Sequence, residues 1–347
     1  MSVDSGPPVA EALLAWYDRH ARRLPWRARP GETADPYRVW LSEIMLQQTT
    51  VAMATPYFEA FTRRWPDVSA LAQAEDADLM SAWAGLGYYA RARNLLACAR
   101  AVAASGGRFP DTEADLLKLP GVGRYTAAAI AAIAFGRAAV VIDGNVERVV
   151  ARLFAVSTPL PAGRREIEQQ AARITPGSRP GDFAQAMMDL GATICVPRKP
   201  ACAICPLREL CAGQRTAAPE RFPVKAPRTQ KPVRQGTIFW LQARDHVLMV
   251  RRPASGLLGG MRALPTGPWG TEPAGLTDAP AAAPWHPAGS GRHVFTHFAL
   301  DYRVMHADLP MMDEREWWPI ARLDEAGLPT LFADAARIAL TRPKAAA

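Results

Sequence analysis

Four cysteines fall within seventeen residues, Cys195, Cys202, Cys205 and Cys211, with six, two and five residues between them. Thiolates this dense suit a zinc ion or an iron–sulfur cluster. The unequal 6-2-5 spacing lacks the paired C-x2-C knuckles of a zinc ribbon, which favours a [4Fe–4S] cluster. Spacing identifies a holder without saying what the cluster does. It could be structural, could shape a basic loop through Arg198, Lys199 and Arg208, or could exchange electrons. A second pattern is Leu119-Pro120-Gly121-Val122-Gly123-Arg124-Tyr125-Thr126. Gly121 and Gly123 would let backbone N–H groups and the start of the next helix face an anion such as a phosphate. One helix later, Val141-Ile142-Asp143-Gly144-Asn145 brings back a carboxylate. Asp143 could carry chemistry or simply cap the helix that begins near Asn145. Glu43 stands in the otherwise apolar stretch Val39–Leu46, where burial would raise its pKa and preserve a proton, unless it faces solvent.

These residues need helices to position them. From Val9 to about Leu210 the apolar spacing is helical, broken by Pro and Gly, with no alternating strand pattern. Helices are expected from Val9, over Tyr37–Thr49, Val51–Arg63 and Ala90–Ala104, after an N-cap at Asp111 or Thr112, and over Tyr125–Phe135. After Cys211 the composition shifts: Arg221, Lys225, Arg228, Lys231 and Arg234 alternate with Pro219, Pro223, Pro227 and Pro232, the signature of a basic linker. Beyond it, Thr237–Leu241 and Val247–Val250 read as a hairpin turning at Arg244-Asp245, and Phe298–Met305 as another strand. Pro253–Pro287 is a Pro-rich stretch and Leu331–Leu340 a final amphipathic helix. The second part is therefore α+β.

The whole composition fits this division. A chain of 347 residues is long enough for two cores, and 49% hydrophobic with 21% charged residues describes a folded protein. The longest apolar run, Thr126–Phe135, is too short for a membrane span, and the first residues carry no signal-peptide pattern, so no membrane is expected and the cytoplasm is the default compartment. Five cysteines, an odd number, argue against a disulfide framework and leave Cys98 as a core thiol. A net charge of +8 suits a polyanionic partner.

Together the hairpin, the following Asp and the cysteine spacing resemble the helix-hairpin-helix DNA glycosylase superfamily. The strings Pro36-Tyr37-Arg38-Val39-Trp40-Leu41-Ser42-Glu43-Ile44-Met45-Leu46-Gln47-Gln48-Thr49 and Gly85-Leu86-Gly87-Tyr88-Tyr89-Ala90-Arg91 are similar to its MutY-type adenine glycosylases. The resemblance is dense over residues 9–215. It then thins to patches of a Nudix-like domain, Gly256-Leu257-Leu258-Gly259-Gly260 and His293-Val294-Phe295-Thr296-His297.

The resemblance implies a mainly α fold, a six-helix barrel with a [4Fe–4S] subdomain over residues 9–215, then a linker over 216–235 and an α+β Nudix-like domain over 236–343. It implies a bacterial, nucleoid-associated monomer acting on double-stranded DNA that holds adenine opposite 8-oxoguanine or G. Glu43 would protonate the adenine and then activate water, and Asp143 would stabilise the sugar cation, the two-carboxylate logic of glycoside cleavage. Tyr125 and Asn145 would position them. Arg27 and Gln185 would contact the extruded base, and Gln48, Leu86 and Tyr88 would fill or wedge the base stack. Phe295, Thr296 and His297 would read the lesion, Gly121 and Gly123 would bind phosphate, and the four cysteines would hold the cluster. Thr296 replaces the family's usual Ser.

Lyase relatives carry a Lys after the hairpin where this chain has Tyr125, and Lys118 is its one lysine before residue 199. A monofunctional glycosylase is therefore expected. Glu272 is the only Glu between Gly256 and Glu314, which opposes Nudix-type Mg²⁺ hydrolysis. Two alternatives stand beside this reading: an endonuclease III-type glycosylase/lyase, and a catalytically silent iron–sulfur protein that binds DNA or senses redox state.

Overall fold

A computed structural model describes residues 6–28, 32–227, 231–253, 256–310 and 314–341. The chain forms two compact units, dividing after Pro227. The first contains α1 (Gly6–His20), α2 (Pro36–Leu46), α3 (Val51–Arg64), α4 (Val68–Ala72), α5 (Asp76–Ala82), α6 (Tyr89–Ala104), α7 (Glu113–Leu116), α8 (Arg124–Phe135), α9 (Gly144–Leu153), α10 (Arg164–Ile174), α11 (Pro180–Thr193) and α12 (Ala212–Arg215). No strand occurs among its described residues, as the periodicity predicts.

Local chemistry sets the helix ends that matter. Asp35 caps α2 by accepting from the Tyr37 N–H at 2.9 Å, with Pro36 opening the first turn. Sequence alone extends this helix to Thr49, but it stops at Leu46 because Gln48 adopts a left-handed φ of 56°. Thr50 then caps α3. Thr112 caps α7, whereas Asp111 pairs with Arg137. Gly121, at φ 71° and with Asn94 Cβ only 2.7 Å from where a Cβ would sit, turns the chain from α7 into α8.

Every residue of α8 from Thr126 to Ala132 is buried, so this helix is enclosed on all sides and packs against α2, α7 and α11. Two apolar cores flank the resulting seam. One gathers Trp40, Phe58, Phe61, Trp83 and Ile130, with buried Cys98 among them; the other gathers Leu13, Val150, Phe183 and Leu190.

The second unit carries β1 (Val233–Ala243), β2 (His246–Leu248), β3 (Val250–Arg251), β4 (Arg262–Ala263), β5 (His286–Val294), β6 (Ala299–Leu309), β7 (Trp317–Pro319) and α13 (Thr330–Leu340). Its main sheet has the order β5-β6-β1-β2-β7, with β1 and β6 parallel and the other pairs antiparallel; β3 and β4 form a separate ribbon. The hairpin at Arg244-Asp245, the strand near Phe298–Met305 and the final helix are all present. Strand β5 is hidden in sequence: His286-Pro287-Ala288-Gly289-Ser290-Gly291 lacks branched residues, and pairing with β6 alone holds it extended.

Candidate active site and cluster loop

A cavity of about 610 Å³ opens at the seam between the two helical cores. Glu43 reaches it from α2, Tyr125 from the first turn of α8, Asp143 and Asn145 from the start of α9, and Gln185 from α11. Residues up to 142 positions apart in sequence thus share one wall, as expected when function sits where elements meet.

Glu43 is only 7% exposed. Burial pushes its pKa up to about 7, with the Asp143 charge adding to the rise; the Tyr125 hydrogen bond and the Arg27 charge oppose it. The Tyr125 hydroxyl donates to Glu43 Oε2 at 2.7 Å. Near neutrality this carboxyl therefore exchanges readily between acid and base.

Asp143 caps α9. Its Oδ1 accepts from the backbone N–H groups of Asn145 at 2.9 Å and Val146 at 2.7 Å, and its Oδ2 accepts from Asn145 Nδ2 at 2.9 Å. The capping role and a place in the cavity wall coexist, because the cap fixes the carboxylate at the positive end of a helix that also borders the pocket. Asn145 in turn accepts from Arg148 Nη2 at 3.0 Å, and Gly191 lets α11 approach: a Cβ there would lie 2.6 Å from Asn145 Cβ.

Arg27 and Gln185 both line the cavity. Arg27 is anchored by a residue that sequence reasoning does not single out. Asp189, fully buried, accepts from Arg27 Nη1 at 2.7 Å and Nη2 at 2.8 Å and from Arg22 Nε at 2.5 Å. Burial alone would raise the Asp189 pKa, but the hydrogen bonds and charges of Arg27 and Arg22 outweigh it and hold the group low.

The cysteine loop is built separately. Cys195, Cys202, Cys205 and Cys211 line one pocket with Arg152 and Gln214. Four thiols around one hollow, in the 6-2-5 spacing, fit an iron–sulfur cluster. Two donors reach the sulfurs: Arg152 Nη1 lies 3.4 Å from Cys195 Sγ and the Gln214 N–H 3.4 Å from Cys211 Sγ. Arg152, almost fully buried, also donates to the carbonyls of Val196, Pro197 and Phe222 and so pins the loop to α9. Arg148 donates to the Cys195 carbonyl at 2.8 Å. Neither arginine stands out in the sequence.

Comparison with known proteins agrees with this geometry. Residues 41–176 match the HhH-GPD superfamily of base excision DNA repair proteins, residues 195–211 the iron–sulfur binding domain of endonuclease III, and residues 237–337 the NUDIX domain. Adenine DNA glycosylase from Homo sapiens is 36% identical over 84% of this chain and 65% of its own length; the Mus musculus enzyme is 34% identical over 84% and 69%. The chain therefore spans about two-thirds of these relatives. A solved thermostable thymine-DNA glycosylase superposes with a TM-score of 0.55 at 30% identity, covering 61% of this chain and 97% of that one. This chain belongs to the adenine DNA glycosylase family. It carries that family's [4Fe–4S] binding loop, which Cys195, Cys202, Cys205 and Cys211 would hold.

The remaining family positions lie outside the carboxylate pair. Gln48 lines the cavity in its left-handed conformation. Tyr88 is 61% exposed with a left-handed φ of 51°, and the Arg91 guanidinium lies 5.3 Å from its ring centre. Leu86, expected at the base stack, is 6% exposed and packs in the core, its N–H donating to the Trp83 carbonyl at 3.1 Å. Gly123 stands at the N-cap of α8 and Gly121 at the turn before it. In the sheet unit, Thr296 and His297 are exposed at the tip between β5 and β6, and Phe295 is half-buried beneath them. Among the described residues no helix is long and apolar enough to cross a membrane.

Proposed function

We propose that this protein is a monofunctional DNA glycosylase that hydrolyses the N-glycosidic bond of adenine opposite 8-oxoguanine or G in duplex DNA. It would act as a monomer in the bacterial cytoplasm, at the nucleoid. Its catalytic domain spans residues 9–215 and its lesion-reading domain 236–343; of the stretch 216–235 read from sequence as a linker, the part up to Pro227 belongs to the helical unit and Val233 already begins β1. The single observation that carries the reading is the Glu43 carboxyl, held near pKa 7 in a cavity it shares with Asp143.

The target bond is inaccessible inside a duplex, so the adenine nucleotide must leave the stack. Tyr88 and Gln48 are suited to occupy the gap, while Arg27 and Gln185 border the space the base would enter. Protonated Glu43 gives its proton to the adenine ring and the C1′–N9 bond breaks, leaving positive charge on the sugar. The Asp143 carboxylate lies under that charge. Glu43, now a carboxylate, takes a proton from water as the water oxygen bonds C1′. Tyr125 fixes Glu43 and Asn145 fixes Asp143, so neither acid has to reorganise during the step. The [4Fe–4S] cluster, when bound, supplies a charged organising centre for its loop and no step of the hydrolysis.

Glu43→Gln keeps the shape and removes the proton. Single-turnover base release from A opposite 8-oxoguanine should fall by at least about a thousandfold, the upper part of the range for a general acid, while duplex affinity is retained. Undiminished release would refute the mechanism. Loss of release in the wild type, with DNA binding and cluster intact, would favour the catalytically silent alternative.

A further inference from the structure

The turn at the end of β5 is closed by the Phe295 N–H donating to the Phe298 carbonyl at 2.9 Å, which leaves Thr296 and His297 as an exposed two-residue tip. A tip that reads a base by hydrogen bonds must hold one shape, because each degree of freedom frozen on binding weakens discrimination. Contacts beneath the tip supply that order. The Phe295 and Phe298 rings lie 4.8 Å apart, and the Trp269 indole stacks on Phe295 at 5.8 Å and 28°.

Trp269 is itself fixed. Its segment runs along the stretch of β1 that β2, paired only at Gln242 and Ala243, leaves open, with Phe239 N–H donating to the Pro265 carbonyl at 2.9 Å and Gln235 N–H to the Gly270 carbonyl at 2.7 Å. The indole packs against Gly236, where a Cβ would come within 2.7 Å of Trp269 Cδ1. The Arg252 guanidinium sits 5.3 Å from the indole centre. From the linker side, Lys231 Nζ donates to the Phe295 carbonyl at 2.7 Å.

We propose that Trp269 and Lys231 are positioning residues that hold the Phe295–Phe298 turn in the shape that discriminates the base opposite adenine. This rests on the reading of Thr296 and His297 as lesion contacts. It assigns specificity to residues that touch neither the lesion nor the excised base.

The test compares single-turnover excision of A opposite 8-oxoguanine with A opposite G, in wild type and in Trp269→Leu, Trp269→Phe and Lys231→Ala. Trp269→Leu should lower the 8-oxoguanine-to-G rate ratio by roughly tenfold, the scale of lost aromatic stacking, by slowing the 8-oxoguanine duplex alone. Trp269→Phe should restore most of the ratio. Lys231→Ala, an exposed change that spares the core, should lower it by about threefold, the scale of one hydrogen bond. Equal slowing of both duplexes, or an unchanged ratio in folded Trp269→Leu and Lys231→Ala, overturns the proposal. A wild type with no preference between the duplexes instead removes the lesion-reading function on which it stands.

Discussion

Two carboxyls in the helical unit are buried to nearly the same degree and behave in opposite ways. Glu43 has a phenol for its partner and is pushed up to about 7; Asp189 has two guanidinium groups and is held below the usual carboxylate range. Burial favours the neutral form in both. What differs is the compensation: one neutral donor at 2.7 Å leaves desolvation dominant at Glu43, whereas two arginines reverse it at Asp189. The unit thus contains a site that stores a proton beside a site that stores an ion pair. In the proposed mechanism the stored proton serves chemistry, and the ion pair anchors Arg27 at the wall of the same cavity.

Breaking the ion pair should give the largest effect on stability. Asp189→Asn leaves Arg27 and Arg22 facing a neutral amide within the fold, and loss of one member of a buried pair costs about 3–5 kcal/mol. A denaturant melt should shift accordingly, and base release should fall with it as Arg27 loses its anchor. The sign of the pH response follows from the depressed pKa. Stability from Asp189 is fully present above the ordinary carboxylate pKa and is lost as pH falls through the lower folded value. Wild type and Asp189→Asn should therefore converge in stability towards acid pH; parallel curves would show that Asp189 is not ion-paired.

Glu43→Gln should act in the opposite direction. A folded pKa of about 7 against an ordinary 4.5 means that the native state resists ionisation, so the cost begins as pH rises above 4.5 and is complete above about 7. At pH 8 the Gln variant should be more stable than wild type by an amount on the order of 3 kcal/mol, from 1.36 kcal/mol per pKa unit. At pH 4 the two should match. An inactive variant with no gain at pH 8 would place Glu43 in water rather than in a desolvated site.

A smaller change sharpens the role of the phenol. Tyr125→Phe removes a hydrogen bond that favours ionised Glu43, so the pKa should rise further. The alkaline limb of the single-turnover excision profile should move up by roughly 0.5–1 pH unit, the worth of one hydrogen bond at 1.36 kcal/mol per unit. An unmoved limb would assign it to another group.

The two acids also differ in how legible they are in the sequence. Glu43 is a candidate because it interrupts an apolar helix, and Asp143 because it follows a glycine hairpin at a helix start, but these local signals fit a solvent-facing acid and an N-cap equally, and the family resemblance decides for chemistry. Asp189 carries no such mark. Its partners are 162 and 167 residues away, and in Met188-Asp189-Leu190 it reads as an ordinary helix acid. Arg152 is invisible for the same reason, since its targets around Cys195 and at Phe222 come from distant segments. The cysteine spacing announces a cluster but not the arginine that pins its loop. In the sheet unit, the apolar runs Thr237–Leu241 and Phe298–Met305 reveal β1 and β6, whereas glycine-rich β5 owes its conformation to its neighbour. A motif string conveys residue types and not which way they point, so the burial of Leu86 cannot be read from it.

The smallest expected effect completes the comparison, because it concerns a charge that enters neither arrangement. Lys118 is exposed, pairs with Asp115 at 2.7 Å on α7, and does not border the cavity. A lyase needs an amine that can reach C1′ as a nucleophile, and Tyr125, hydrogen-bonded to Glu43, stands where the family resemblance implies that lyase relatives carry one. Lys118→Ala should leave base release within about twofold of wild type, consistent with the small worth of exposed ion pairs, and strand cleavage should still require alkali in both proteins. Alkali-independent nicking by the wild type, abolished by Lys118→Ala, would mean that the exposed lysine swings into the cavity during turnover. The phenol–carboxyl pair would then be only part of a site that does covalent chemistry.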